Sequence, residues 1–148
     1  MDELFQRQNG KESLCAADFI APIGKEKDTI GFFVASCGKG IVEKSGELRE
    51  KGEYLKSHLI QILAIESAEA FAEIIHKKMR QDLGTGTQGI KLQYGYPECP
   101  DLEEQKKIFR LLKPEKIGVG MTESLMMEPE ASVSGIIFYH PQARHFTL

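Results

Sequence analysis

Long hydrophobic runs are missing from this chain, and nothing in it is apolar for long enough to cross a bilayer. The first residues, MDELFQRQNGKES, are polar and acidic, which excludes a secretory signal peptide. Cysteine is scarce. Cys15, Cys37 and Cys99 lie far apart, are odd in number and form no CxxC, which argues against a disulfide scaffold or a cysteine-type zinc site and fits a reducing cytoplasm. No excess of positive charge exists either: the formal net charge is -3, so the basic stripe of a nucleic-acid-binding protein is absent. His76-Lys77-Lys78-Met79-Arg80 is the longest basic cluster, and a helix C-terminus accounts for it. The chain also lacks a Gly-x-Ser-x-Gly elbow, a Walker A loop and His-Glu-x-x-His, and it shows no internal repeat or low-complexity stretch.

What remains is one ordinary globular domain of 148 residues, long enough to bury roughly two thirds of its unfolded surface. Leu14 to Ile23 reads as a first strand, closed by Pro22 and Gly24, and Thr29 to Ser36 as a second. The connection between them is short enough for a hairpin. Cys37 to Gly40 then breaks the strand. The longest periodic segment runs from about Glu47 to Leu83, with Leu55, Leu59, Ile62 and Leu63 and then Phe71, Ile74, Ile75 and Met79 at helical spacing. Gly52 is its only weak residue, and the helix is expected to become regular after it, spanning about 45 to 50 Å at 1.5 Å per residue. Ile90 to Gln93 is a short strand. Asp101 caps a helix from Leu102 to Leu112, whose Ile108, Leu111 and Leu112 face the core, and Pro114 stops it. Ile117 to Thr122 is a strand candidate. Leu125 to Glu130 is a loop whose Met126 and Met127 are core filler, and Ser132 to Tyr139 is a clear strand ended by His140-Pro141. The expected class is therefore α+β: a mainly antiparallel twisted sheet with one long helix and a shorter helix packed on it.

Three stretches carry candidate chemistry. Gly89 to Asp101, GIKLQYGYPECPD, runs from the short strand into a stiff loop, because Pro97 and Pro100 restrict the residues before them. Such a loop, carrying Tyr96 beside the cation Lys91, can form one wall of a ligand site, or be an ordered corner whose tyrosines fill a core edge. On the long helix Glu66, Glu69, Glu73 and His76 share a broad strip, and Glu73-x-x-His76 has the spacing of di-iron carboxylate bundles. Those bundles need a second such motif, which is missing here, so a solvated acidic face is the simpler account. A carboxylate on that face could still receive a cationic ligand such as an ammonium or sulfonium group. Gly84 to Gly89, GTGTQG, matches G-x-G-x-x-G literally. It follows a helix and precedes a strand, the reverse of a dinucleotide fingerprint. His140 could serve as a base, but no nucleophile–base pair is evident, and binding is favoured over autonomous catalysis.

Six stretches in order (LCAADFIAP, DTIGFFVAS, AEAFAEIIHKKMR, GYPECPD, TESLMMEP and SVSGIIFYHPQARHF) together resemble the C-terminal activation domain of cobalamin-dependent methionine synthase, from about Leu14 to the end. The resemblance implies a reactivation module, acting in the cytoplasm as a domain or subunit of that methyltransferase. It would bind S-adenosylmethionine and sit over a cobalamin held by a partner domain, the cobalamin-binding domain of methionine synthase, while a flavodoxin-like donor supplies an electron. It implies neither a nucleic-acid nor a membrane partner. The domain itself would do no acid–base chemistry and would hold no metal.

Where that family has Arg-Pro-Ala-Pro-Gly-Tyr-Pro, this chain has Lys91-Leu92-Gln93-Tyr94-Gly95-Tyr96-Pro97. Lys91 thus stands in the place of a carboxylate-binding arginine, keeping the charge without the two-pronged fork. Tyr96 matches the family tyrosine, and Glu69 matches the family glutamate on the long helix. Phe138 matches the second residue of a Tyr-Phe pair whose first is Ile137 here. The expected S-adenosylmethionine-binding set is Glu69, Lys91, Gln93, Tyr96, Ile137 and Phe138. The chain reads as a single activation-type domain, 1–148, without the N-terminal part of the family domain and its acidic ligand contact. Two other readings stand beside this one. The first is a docking protein of the same fold that has lost its ligand, suggested by Lys91, Gln93 and Ile137. The second is a carboxylate metal enzyme built on Glu66, Glu69, Glu73 and His76.

Overall fold

The computed structural model describes residues 7–9, 12–25, 28–84 and 89–146. The elements are strand β1 (Ile30–Ser36), helices α1 (Ile41–Glu50) and α2 (Tyr54–Asp82), strand β2 (Ile90–Gln93), helix α3 (Gln105–Leu112), strands β3 (Gly120–Met121) and β4 (Met127–Glu128), and strand β5 (Ser132–Phe138). The class is α+β, as the sequence patterns require. No helix among the described residues is long and apolar enough to cross a membrane. The chain forms two compact units. The first holds the described residues of Met1–Phe33, Ile75–Leu112 and Ser134–Leu148, and the second holds Val34–Ile74 and Lys113–Val133.

In the sheet the strand order is β1-β5-β2. Strand β5 lies in the middle and is buried at every position, its two serines and its glycine included. The outer strands alternate, with Ile90 and Leu92 buried and Lys91 and Gln93 half-buried along β2. Within the first unit the two faces of the sheet are distinct. Ser134 donates to the side-chain oxygen of Gln105 at 2.7 Å, so α3 covers the face that also carries Ile136 and Phe138. On the other face a Cβ at Gly31 would lie 2.7 Å from the Met79 methyl and 3.3 Å from Ile137, which places the last turns of α2 there.

The first expected strand is corrected. Ala16–Phe19 is a short 3-10 helix, and the hairpin with β1 disappears with it. The cause is local. Asp18 accepts a hydrogen bond from the Cys15 amide at 2.9 Å, and this closes a tight turn that buries Ala16 and Phe19, three residues apart. The long helix is corrected too, into α1 and α2. Gly52 has φ +75°, its amide bonds the carbonyl of Arg49 and the amide of Glu53 reaches that of Leu48. That is a Schellman ending, for which glycine suits the left-handed position.

The strand expected over Ile117 to Thr122 contracts to β3. Part of the expected loop pairs with it as β4, Gly120 with Glu128 and Met121 with Met127. Met127 is half-buried, but Met126 is 56% exposed and fills no core. Asp101 caps the next segment as expected, accepting from the Glu103 amide at 2.8 Å, although the first turn is 3-10 before α3 begins. Ile108 and Phe109 are buried, whereas Leu111 and Leu112 are exposed. A helix of eight residues shows the core only the stripe at Gln105, Ile108 and Phe109.

Candidate functional site

Strand β2 pairs antiparallel with β5 in a register that sets Ile90 opposite Phe138, Lys91 opposite Ile137, Leu92 opposite Ile136 and Gln93 opposite Gly135. Directly opposed residues share a face of the sheet. The pairing therefore brings Lys91, Gln93 and Ile137 together on one face. Phe138 is on the other face with Ile90 and Leu92. Ile137 and Phe138 are 0% and 1% exposed, so both act by packing and not as polar contacts. Lys91 and Gln93 are the candidates on this pair with side chains that reach solvent.

The chain leaves β2 through a turn that fixes Tyr96. Gly95 has φ +84°, a region open to glycine, and its amide donates to the Cys99 carbonyl at 2.9 Å. The Cys99 amide returns to the Tyr96 carbonyl at 2.9 Å, which puts Pro97 at the position of a β-turn where its ring pre-sets φ. The two tyrosines divide the work. Tyr94 is buried, whereas Tyr96 is 51% exposed on a backbone tied at both ends. A stiff turn carrying an exposed aromatic, next to a strand carrying a cation and an amide, can seat an anionic group and a flat one.

Several supports of this turn carry no pattern in the sequence. Glu98, with its side chain 14% exposed, meets Nδ1 of His145 at 3.0 Å. Arg144 pairs with Glu12 at 2.6 Å, and Phe19 packs on Phe146 with ring centroids 6.3 Å apart. The entry segment and the tail are thus joined in the first unit. Arg7 grips Asp18 through both carboxylate oxygens, at 2.7 and 2.8 Å. The Arg7 hydrogen bonds hold the Asp18 carboxyl below the usual carboxylate range. His140 accepts the Gln142 amide on Nδ1 at 3.1 Å, which assigns this nitrogen to a local turn. Buried Tyr139 has its hydroxyl 2.8 Å from where a Gly31 Cβ would be, with no hydrogen-bond partner among the described residues. Burial raises its pKa.

Glu69 belongs to the second unit and is half-buried on α2, where Glu66 and Glu73 are exposed. Among the described residues no group of three or more His, Cys, Asp or Glu side chains could hold a metal ion. Two cavities also lie in the second unit. One of about 100 Å³ is lined by Ile41, Gln61, Ile65 and Ala131 among others, and a wider one of about 490 Å³ by Lys39, Glu43, Lys116 and Glu128. None of the six candidate residues lines either cavity.

The family model for the vitamin B12 dependent methionine synthase activation domain matches residues 3–148. The chain belongs to this family. It is 30% identical to the methionine synthase of Mycobacterium tuberculosis and 31% identical to that of Mycobacterium leprae, each over 97% of its own length. It spans only 14% of the length of these curated relatives. Among solved structures, the crystal structure of the MetH reactivation domain bound to AdoHcy matches with a TM-score of 0.87 and 30% identity. That match covers 97% of this chain and 50% of the other. The part of methionine synthase that this activation-domain chain corresponds to is therefore a fraction of the whole enzyme.

Proposed function

We propose that this activation-domain chain binds S-adenosylmethionine and serves as the reactivation module of a vitamin B12-dependent methionine synthase in the cytoplasm. The observation that supports this reading most is the 0.87 TM-score to a reactivation domain solved with AdoHcy, the demethylated form of that ligand, together with the Lys91–Gln93 face and the fixed Tyr96 turn. Lys91 would attract the ligand's α-carboxylate, with Gln93 beside it as an amide donor and acceptor. The exposed ring of Tyr96 would offer a flat surface to the ligand. A cobalamin held by the cobalamin-binding domain of the same enzyme would be the methyl acceptor, and a flavodoxin-like protein the electron donor. This chain's own residues would bind and orient the donor and exclude water, which is catalysis by positioning.

One observation favours a second reading, in which the fold is kept for docking alone. Ile137, where the family pattern has tyrosine, is wholly buried and offers a ligand no polar group. Calorimetric titration with S-adenosylmethionine separates the two. Saturable binding that weakens in Lys91→Ala and Tyr96→Ala supports the ligand-binding module, and its absence in the wild-type chain leaves the docking role.

A further inference from the structure

Helix α2 is packed with its sizes reversed. In the second unit the residues it buries are small: Ser57 is 3% exposed, Ala64 5%, and Ala68 and Ala72 both 0%. Its large apolar side chains face outward, Leu55 at 71%, Leu59 at 52%, Ile62 at 43% and Leu63 at 66%. These four fall at i, i+4, i+7 and i+8, the spacing of a continuous strip along one side of a helix. An amphipathic helix ordinarily buries such a strip. Here the alanines let the backbone approach its own unit closely, and the leucines are left for something else. An exposed apolar strip of this kind marks an interaction surface.

We infer that a second copy of this chain covers the strip, by antiparallel docking of α2 on α2. The argument is charge polarity along the helix. From Tyr54 to Ile65 there is a lysine and a histidine, Lys56 and His58, and no acid. From Glu66 to Ile74 there are three glutamates and no base. A parallel arrangement sets like charges side by side. Antiparallel docking about a two-fold axis sets Lys56 of each copy beside Glu66 of the other and Leu59 against Leu63, each contact made twice. Lys56 now meets Glu53 at 2.7 Å, but its side chain is 68% exposed and free to turn outward. The surface lies within the second unit and does not depend on the ligand reading.

The test is sedimentation velocity on the full chain from micromolar to near-millimolar concentration, in low and high salt. The wild-type chain is expected to dimerise, less tightly in high salt because the pairs are screened. Leu59→Glu removes an exposed side chain, so the fold survives, as far-UV circular dichroism will verify, and the dimer dissociation constant rises at least about tenfold. Lys56→Glu and Glu66→Lys each weaken the dimer, and the double swap restores it. A monomer across the whole range, a dimer indifferent to Leu59→Glu, or a double swap no tighter than the single changes overturns the proposal.

Discussion

Gly135 stands opposite Gln93 in the pairing of β5 with β2, and the Leu92 carbonyl oxygen lies 2.3 Å from where a Cβ on Gly135 would be. The Phe33 ring is 2.9 Å from the same point. A ring can turn aside, but a carbonyl within a hydrogen-bonded strand cannot. Gly135→Ala should therefore cost about 1–3 kcal/mol, the usual range for overpacking. A urea midpoint lowered without a change in slope is the expected result. Since Lys91 and Gln93 hang on the same pairing, ligand affinity should fall with it.

The Arg7–Asp18 contact predicts a pH dependence. The Arg7 hydrogen bonds hold the folded pKa of Asp18 below the ordinary value for an aspartate. The unfolded chain therefore takes up this proton first as the pH falls. The contribution of Asp18 to stability is complete above about the unfolded value and is lost as pH falls through the folded one. Asp18→Asn should lower the thermal midpoint at pH 7 and flatten its decline below about pH 4. A melting curve parallel to wild type down to pH 2 would sink this account. The Asp18 turn also replaces the expected strand at Leu14 to Ile23, so the variant should loosen Ala16–Phe19 before the sheet.

Tyr139 gives a prediction of opposite sign. Its hydroxyl is buried with no hydrogen-bond partner among the described residues. Burial without a bond costs roughly 1–3 kcal/mol, and Tyr139→Phe removes the group while leaving the ring. The variant should be as stable as wild type or more so, by chemical denaturation. A clear loss of stability would mean that the hydroxyl has a partner, such as a buried water.

How much of this was legible beforehand follows from where each signal resides. β2 was legible to the residue, and β5 nearly so, because Ile90 to Gln93 alternates and Ser132 to Tyr139 is buried on both faces. The same holds for the Asp101 cap, a local signal. The turn at Asp18 was hidden, since its apolar residues match a strand while its hydrogen bonds come from a carboxylate and from Arg7, eleven residues earlier. Gly52 was visible as weak, but its left-handed φ, which ends α1, depends on bonds reaching back to Leu48 and Arg49. At the candidate site, the stiffness of the Tyr96 turn was written in Pro97 and Gly95. The faces were not: the family pattern names Phe138 together with Lys91, and only the register shows that they lie on opposite faces of the sheet.

Lys91 carries the sharpest test of function. If it holds the carboxylate of S-adenosylmethionine, Lys91→Ala loses a charge-assisted hydrogen bond worth roughly 1.5–3 kcal/mol, a fall in affinity of about tenfold to a hundredfold. Tyr96→Ala should weaken binding as well, through lost ring contact and not lost charge, so its effect should be insensitive to salt where that of Lys91→Ala is not. Lys91→Arg is the more telling change. An arginine restores two parallel donors to a carboxylate where lysine offers a point charge, so binding should tighten. Isothermal titration of the three variants decides it. Tighter binding by Lys91→Arg with loss in Lys91→Ala assigns the carboxylate to this position, whereas equal affinities in all three would place the ligand away from β2 and leave the Lys91 face to docking.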